Sequence, residues 1–242
     1  MATPHIGAEL GQIASTVLMP GDPRRAQRMV NQIMDAPEVV SDIRGVRVFT
    51  GTYAGDGPHN GKLLSIMASG MGMASMGLYA TELYRFFEVE RIVRVGTCGG
   101  ISPAVSIGDV IVVSGAHTTS SMNELRIPGA HFSAVADVGM ASAALAVAES
   151  DPLVHAGTVI TTDHFYFNIP GQLEALVAHN VLAVEMESAG LYGVAAEFTK
   201  SALSVLTVSD HLTKPGIDMT ATERETTFQT ALNLAIAAAW SK

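Results

Sequence analysis

The 242-residue chain has room for one large domain or two small ones. Hydrophobic residues make up 48% and charged residues 15%, a balance that asks for a large core, or a core plus a buried subunit interface. The formal net charge of -9 argues against general binding to nucleic acid or to an anionic membrane, while leaving room for a few arginines gathered around one small anion.

The opening Met1-Ala2-Thr3-Pro4-His5 has neither the basic nor the apolar stretch of a signal peptide. No apolar run approaches the roughly 18 residues of a membrane span. A soluble cytoplasmic protein is expected. Val17-Leu18-Met19 reads as a short strand, and Pro20-Gly21-Asp22-Pro23 turns the chain. Residues 24–34 read as a helix, with Pro23 suited to its first turn. Residues 46–53 and 63–68 read as strands, joined through a connection at 54–61 that is dense in turn formers. Met73, Met76, Gly77, Ala80, Leu83, Tyr84 and Phe87 share one helical face.

Residues 92–95 form the next strand, ending in Gly96-Thr97-Cys98-Gly99-Gly100, and 110–113 another. The segment 117–131 has no clear period and reads as a long loop. Helices are expected at 140–148 and 173–178, and a short strand at 158–161. Val181-Leu182-Ala183-Val184 is strand-like and leads into Glu185-Met186-Glu187, with a small-residue helix starting at Ser188. One more strand spans 202–208 and ends in Ser209-Asp210-His211. A final helix runs over about 221–240, with Phe228, Leu232, Ala235, Ile236 and Ala239 on its apolar face. Nothing divides the chain into two compositions. The pattern predicts a single α/β domain over 1–242, a mixed, largely parallel central sheet flanked by helices. The single cysteine, Cys98, gives no intrachain disulfide and reads as a small core hydrophobe.

Ligands in open α/β sheets bind at the carboxyl ends of strands. There the chain places Gly21, Gly96-Thr97, Glu185-Met186-Glu187 and Ser209-Asp210. A carboxylate such as Glu187 can accept from a pair of sugar hydroxyls, and Met186 offers a polarizable wall for a ring. Alternatively, Glu187 is a first-turn helix acid and Glu185 faces water. Arg94 sits inside an apolar strand, where a charge is costly unless paired. Its guanidinium can bind phosphate bidentately, or pair with a carboxylate such as Glu187 or Glu90, or do both. Arg25 lies near Gly21. A desolvated Asp210 can act as a general acid, or as a cap. By itself, Arg224 reads as a solvated first-turn residue.

The ordered set Pro20-Gly21-Asp22-Pro23-Arg24-Arg25-Ala26, Ile43-Arg44-Gly45, Gly70-Met71-Gly72-Met73, Arg94-Val95-Gly96-Thr97-Cys98-Gly99, Val184-Glu185-Met186-Glu187, Val208-Ser209-Asp210-His211 and Glu223-Arg224-Glu225-Thr226-Thr227-Phe228 resembles the bacterial hexameric purine nucleoside phosphorylases of the nucleoside phosphorylase superfamily. The resemblance covers nearly the whole chain. It implies reversible phosphorolysis of purine (deoxy)nucleosides in purine salvage, with phosphate as co-substrate, no cofactor and no metal. It implies a phosphate site of Gly21, Arg25, Arg94 and Thr97, with Arg44 donated by a neighbouring subunit. Met186 and Glu187 would hold the ribose, and His5 of the neighbour would contact its 5′-hydroxyl. Phe165 and Val184 would line the base pocket, with Glu185 near base and sugar and Ser209 beside the nucleoside. Asp210 would protonate purine N7, assisted by Arg224 as the last helix closes. Partners would be the nucleoside, phosphate and further copies of the chain in a homohexamer of dimers that share sites, with no nucleic acid or membrane. Thr97 stands where the family commonly has serine, and residues 56–61 look like an insertion away from the site.

Three alternatives remain beside this reading. Uridine phosphorylase shares the arginines and the Glu-Met-Glu stretch but reads uracil with a Gln and an Arg. The corresponding Asp163-His164-Phe165-Tyr166-Phe167 lacks both. A nucleosidase of the methylthioadenosine type uses water and has no need of Arg25, Arg44 and Arg94 around an anion. A binding or storage protein would not need the full catalytic set.

Overall fold

A strand that is apolar on both faces must be covered on both. Strand β5 (Arg91–Gly100) is of this kind, buried continuously from Ile92 to Gly96. The structure, a computed structural model, describes residues 2–166, 169–214, 216 and 218–241. It places β5 at the centre of a mixed ten-stranded sheet flanked by helices. Met1 and Phe167, named above, lie outside the described residues.

Over its first half β5 pairs in parallel with β1 (Thr16–Met19) on one side and β10 (Ser201–His211) on the other. Beyond β1 the sheet continues through β4 (Leu63–Met67), β3 (Val46–Tyr53) and β2 (Met34–Ile43). Beyond β10 it continues through β6 (Val110–Thr118), β8 (Val154–Thr161) and β9 (Ala183–Glu185). Strand β9 then pairs with Gly99 and Gly100 of β5, so five strands close into a ring. A two-residue strand, β7 (Ala134–Val135), edges β6.

Helices α1 (Pro23–Ile33), α2 (Gly72–Phe86), α3 (Val138–Ala148), α4 (Gln172–Ala178) and α5 (Ser188–Glu197) follow the predicted order. Asp22 caps α1 by accepting from the Arg24 N–H at 2.8 Å, with Pro23 in the first turn. The expected apolar face of α2 is buried, down to Phe87 just past its end. Helix α5 is almost wholly buried. Its Tyr192 hydroxyl donates to Val113 O at 2.7 Å and accepts from Ser204 N at 2.9 Å. Those two residues face each other across β6 and β10, so the phenol bridges the seam of the ring.

Several sequence expectations need correction. The chain continues from α1 directly into β2, a mostly exposed strand whose alternation is broken by shifts in its register with β3. Arg44 (φ 56) and Gly45 (φ 76) then form the two-residue hairpin turn, which needs positive φ at both positions. Strands β5, β6, β8 and β10 run past their predicted ends, because backbone pairing carries glycine and polar residues as readily as apolar ones. The expected loop at 117–131 begins within β6 and contains a 3-10 turn, Ser121–Asn123. The single final helix is two, α6 (Ala221–Thr226) and α7 (Gln229–Ala239). The β-branched pair Thr226-Thr227 favours the break, and Phe228 turns its ring into the core there. At the far end, His59 of the connection between β3 and β4 stacks on Trp240 at 4.9 Å, so that segment fastens the end of α7.

Replacing Tyr192 with phenylalanine should strand Val113 O and Ser204 N in the core. We expect a loss of about 1–3 kcal/mol in urea unfolding, with the fold retained.

Candidate active site

The sheet parts at one place. Along β5, Arg94 is the last residue paired to β1, opposite Met19, and Gly99 is the first paired to β9, opposite Val184. Residues 95–98 have no strand on that edge, although their other edge stays paired to β10. A cleft of about 600 Å³ occupies the gap. It lies where the strand order changes direction, the place that open α/β sheets use for ligands.

Arg94 lies at the floor of this cleft and is 3% exposed. Its guanidinium folds back over Gly96, where a Cβ would sit 2.6 Å from Cζ, so residue 96 must be glycine for this pose. Nη2 meets Glu187 at 2.6 Å and Glu185 at 3.3 Å. Glu90, the other partner considered, pairs instead with Lys200. Burial opposes the charge on Arg94, but Glu187 and Glu185 outweigh it and hold its pKa above the ordinary value.

The two carboxylates are not equivalent. Glu185 does not face water but is buried, and both of its oxygens are engaged within the protein. It accepts from the Thr161 hydroxyl, from Glu187 N at 2.9 Å, from Ser188 N at 3.0 Å and from Arg94 Nε at 3.3 Å. It thus ties β8 and β5 to the first turn of α5. Glu187 precedes that turn. It accepts from Gly72 N at 2.5 Å on one oxygen and from Arg94 on the other. Burial raises its pKa, Arg94 opposes and Glu185 adds to the rise, leaving it above the ordinary carboxylate value. The Met186 backbone N–H also bears on this carboxylate, which keeps some acceptor capacity beyond these contacts.

Arg25, in the first turn of α1, is the second buried cation. Burial, reinforced by Arg94, lowers its pKa to about 10. Nη1 donates to Val95 O at 3.4 Å, a carbonyl on the unpaired edge of β5, and Nη2 donates to Arg224 O. Its Nε is buried with no partner among the described residues. Gly21 and Thr97 complete this end of the cleft.

At the other end, Ser209 donates to the Asp210 carboxylate at 2.8 Å. Arg224 Nη1 meets the same carboxylate oxygen at 3.1 Å, while its Nε donates to Met219 O at 3.1 Å. Arg224 is therefore turned inward, not solvated as the last helix alone suggested. A capping box, Thr220 with Glu223, fixes the start of α6 and so the place of Arg224. Val184 and Met186 line the wall between the two ends, and Phe165 lies at the mouth, 66% exposed.

Of the residues singled out from the sequence, the structure brings Gly21, Arg25, Arg94, Thr97, Phe165, Val184, Glu185, Met186, Glu187, Ser209, Asp210 and Arg224 around one cleft. His5 and Arg44 are not among its lining. The sequence reading assigned no role to Thr162 and Leu212, which also line it. Thr162 directly follows β8 and Leu212 directly follows β10, so the strand-end rule could have found both. Among the described residues no cluster of three or more His, Cys, Asp or Glu side chains could hold a metal ion. No described helix is long and apolar enough to cross a membrane.

Comparison with known proteins gives a consistent result. A family model described as the phosphorylase superfamily matches residues 15–240. A DeoD-type purine nucleoside phosphorylase of Colwellia psychrerythraea is 43% identical over 237 residues, 98% of each chain. Proteins of the same name from Hahella chejuensis and Shewanella amazonensis are 44% and 45% identical over 240 residues, 99% of each chain.

Removing the Glu185 carboxylate should leave Arg94 underpaired and α5 uncapped. We expect Glu185→Ala to lose about 3–5 kcal/mol in chemical denaturation. A change under 1 kcal/mol would show that the cluster does not hold the sheet and α5 together.

Proposed function

The chain belongs to the phosphorylase superfamily, and we propose as its function the reversible phosphorolysis of purine ribo- and deoxyribonucleosides to free base and (deoxy)ribose 1-phosphate, a pentosyl transfer to phosphate in purine salvage. One nucleoside phosphorylase domain, 1–242, carries it. The observation that supports this most is the pairing of two buried guanidinium groups, Arg25 and Arg94, in one cleft with a carboxylate and an acid–arginine pair beyond them.

In this reading phosphate occupies the Arg25 end. Gly21 and Arg25 offer backbone N–H groups at the positive end of α1, Thr97 its hydroxyl, and Arg25 and Arg94 their charges. The buried Arg25 Nε gains an acceptor, and the anion offsets the repulsion between the arginines. Glu187 accepts from the ribose hydroxyls with its remaining lone pairs, and Met186 packs on the sugar. Phe165 and Val184 bound the base, with Ser209 beside it. The Glu185 assignment shifts in emphasis: it acts on base and sugar through the placement of Arg94, Glu187 and α5. His5 and Arg44, which do not line this cleft, are supplied by a second copy. The smallest active unit is then a dimer, assembled into a hexamer of the bacterial type and working in the cytoplasm. No cofactor takes part, since phosphate is itself the second substrate.

The chemistry follows from charge. As the C1′–N9 bond breaks, the ribose becomes cationic, and the phosphate held against it first stabilises that charge and then forms the C1′–O bond. The base leaves as a neutral purine when Asp210 gives its proton to N7. Arg224, which meets Asp210 at 3.1 Å, stabilises the negative charge that forms there as the proton leaves, and the short, separate α6 lets it move with the step.

Incubation with inosine, adenosine or uridine, with and without phosphate, tests the proposal. Free purine base and pentose 1-phosphate should appear only when phosphate is present. Base release without phosphate would instead indicate a nucleosidase, release from uridine alone a pyrimidine enzyme, and no release at all a binding protein. Asp210→Asn should lower kcat for inosine by about 10²–10⁴-fold. Arg224→Ala should also slow bond cleavage in single-turnover measurements, and an unchanged rate would remove Arg224 from the mechanism.

A further inference from the structure

Glu82 is a carboxylate on α2 that is 8% exposed and takes no part in the cleft described above. Burying a carboxylate is costly unless its oxygens are engaged. Here both are spent on the N-terminal segment. One oxygen meets His5 Nδ1 at 2.7 Å, and the other accepts from the Thr3 hydroxyl. The Thr3 hydroxyl also accepts from Ile6 N at 2.9 Å, closing the segment around His5.

The same segment runs beside β2. Gly7 N donates to the Ser41 hydroxyl at 2.8 Å, and a Cβ on Gly7 would lie 3.1 Å from the Ile43 side chain. Ile43 ends β2 and adjoins Arg44 in the hairpin turn. Tyr79, three residues before Glu82 on α2, has its pKa raised by burial, with Arg44 opposing and Glu82 adding. His5 and Arg44 thus both lie near the Tyr79–Glu82 stretch of α2, outside the lining of the chain's own cleft.

The chemistry of the contact fixes the role of one ring nitrogen. A carboxylate only accepts, so His5 Nδ1 is the donor. Held this way, the ring has Nε2 left for a second partner. A sugar hydroxyl, which both donates and accepts, is a fitting one. We propose that Glu82 is a positioning residue for nucleoside recognition: it holds His5 of one copy through Nδ1, so that Nε2 hydrogen-bonds the 5′-hydroxyl of a nucleoside in a second copy's cleft. This rests on the reading of His5 given above.

Comparing inosine with 5′-deoxyinosine isolates the contact. In Glu82→Ala, kcat/KM for inosine should fall roughly tenfold, the worth of one well-placed hydrogen bond, while that for 5′-deoxyinosine stays unchanged. His5→Ala should show the same pattern, and the double variant should be no worse than His5→Ala alone, since both act through one contact. Should Glu82→Ala fail to fold, Glu82→Gln serves, because its amide oxygen still accepts from Nδ1–H. It should keep most of the preference for inosine, and a loss as large as that of His5→Ala would overturn the proposal. Equal losses on both nucleosides, or additive losses in the double variant, would make Glu82 a structural tether only. If His5→Ala treats the two nucleosides alike, the reading of His5 fails and the proposal with it. If His5→Ala discriminates and Glu82→Ala does not, the proposal fails alone.

Discussion

A guanidinium buried in the middle of a sheet cannot stand without counter-charge, and the arrangement around Arg94 follows from meeting that demand. Glu187 and Glu185 supply the charge from the strand end and helix start on the other side of the gap. To reach them, Arg94 lies back over Gly96, which excludes any side chain there. Glu185 in turn takes the Glu187 and Ser188 N–H groups and the Thr161 hydroxyl. Glu187 takes Gly72 N, at the start of α2. Strands β5, β8 and β9 and helices α2 and α5 therefore meet at one ion cluster. The apolar core around it supplies cohesion. The cluster supplies direction, because this placement of the elements engages each of its buried charges.

The same cluster explains why the cleft carries cations at one end and an acid at the other. Arg94 shares its charge with two glutamates through Nε and Nη2, whereas Arg25 has only Asp22 and Glu225, neither in contact with its guanidinium, to favour its charge. Positive character is concentrated toward Gly21 and the start of α1. At the far end, Arg224 is drawn to Asp210 from α6, an element separate from the rest of the last helix. The C-terminal segment is thus divided between an exposed part that reaches the cleft and a part that is fixed in the core. Helix α7 is anchored by Phe228, Leu232 and Leu234 in the core, while none of the residues of α6 is buried.

Much of this was legible in the sequence, because most of the site residues stand at strand ends. Apolar runs marked β1, β4, β5 and β10, and the residues after them carry the polar groups of the cleft. That Glu185 is buried and bonded on both oxygens was not legible. Two carboxylates separated by one residue look alike until it is known which one points at Thr161 and the α5 N–H groups. The reading of Arg224 from its helix alone also failed, since a first-turn arginine looks solvated unless the fold brings Asp210 beneath it. Strand β2 was missed for a plain reason: it is mostly exposed and its register slips twice against β3, so no alternation survives in the sequence. The Thr3–His5–Glu82 contact spans most of the first third of the chain, and no local pattern announces it.

The gap along β5 also acts as a ruler. Four residues, 95–98, lie between the end of pairing with β1 and the start of pairing with β9. At about 3.3 Å per residue this leaves an opening of roughly 13 Å. Its length is set by where two strands stop, so it can change only in whole residues. One more paired residue on β1 would remove about a quarter of the opening and bring a side chain of the opposite facing to its rim. Changes in the outer connections, such as residues 54–61, leave that length untouched. Sequence drift is therefore cheap at the edges of this fold, and it comes in coarse steps at the two strand ends that frame the gap.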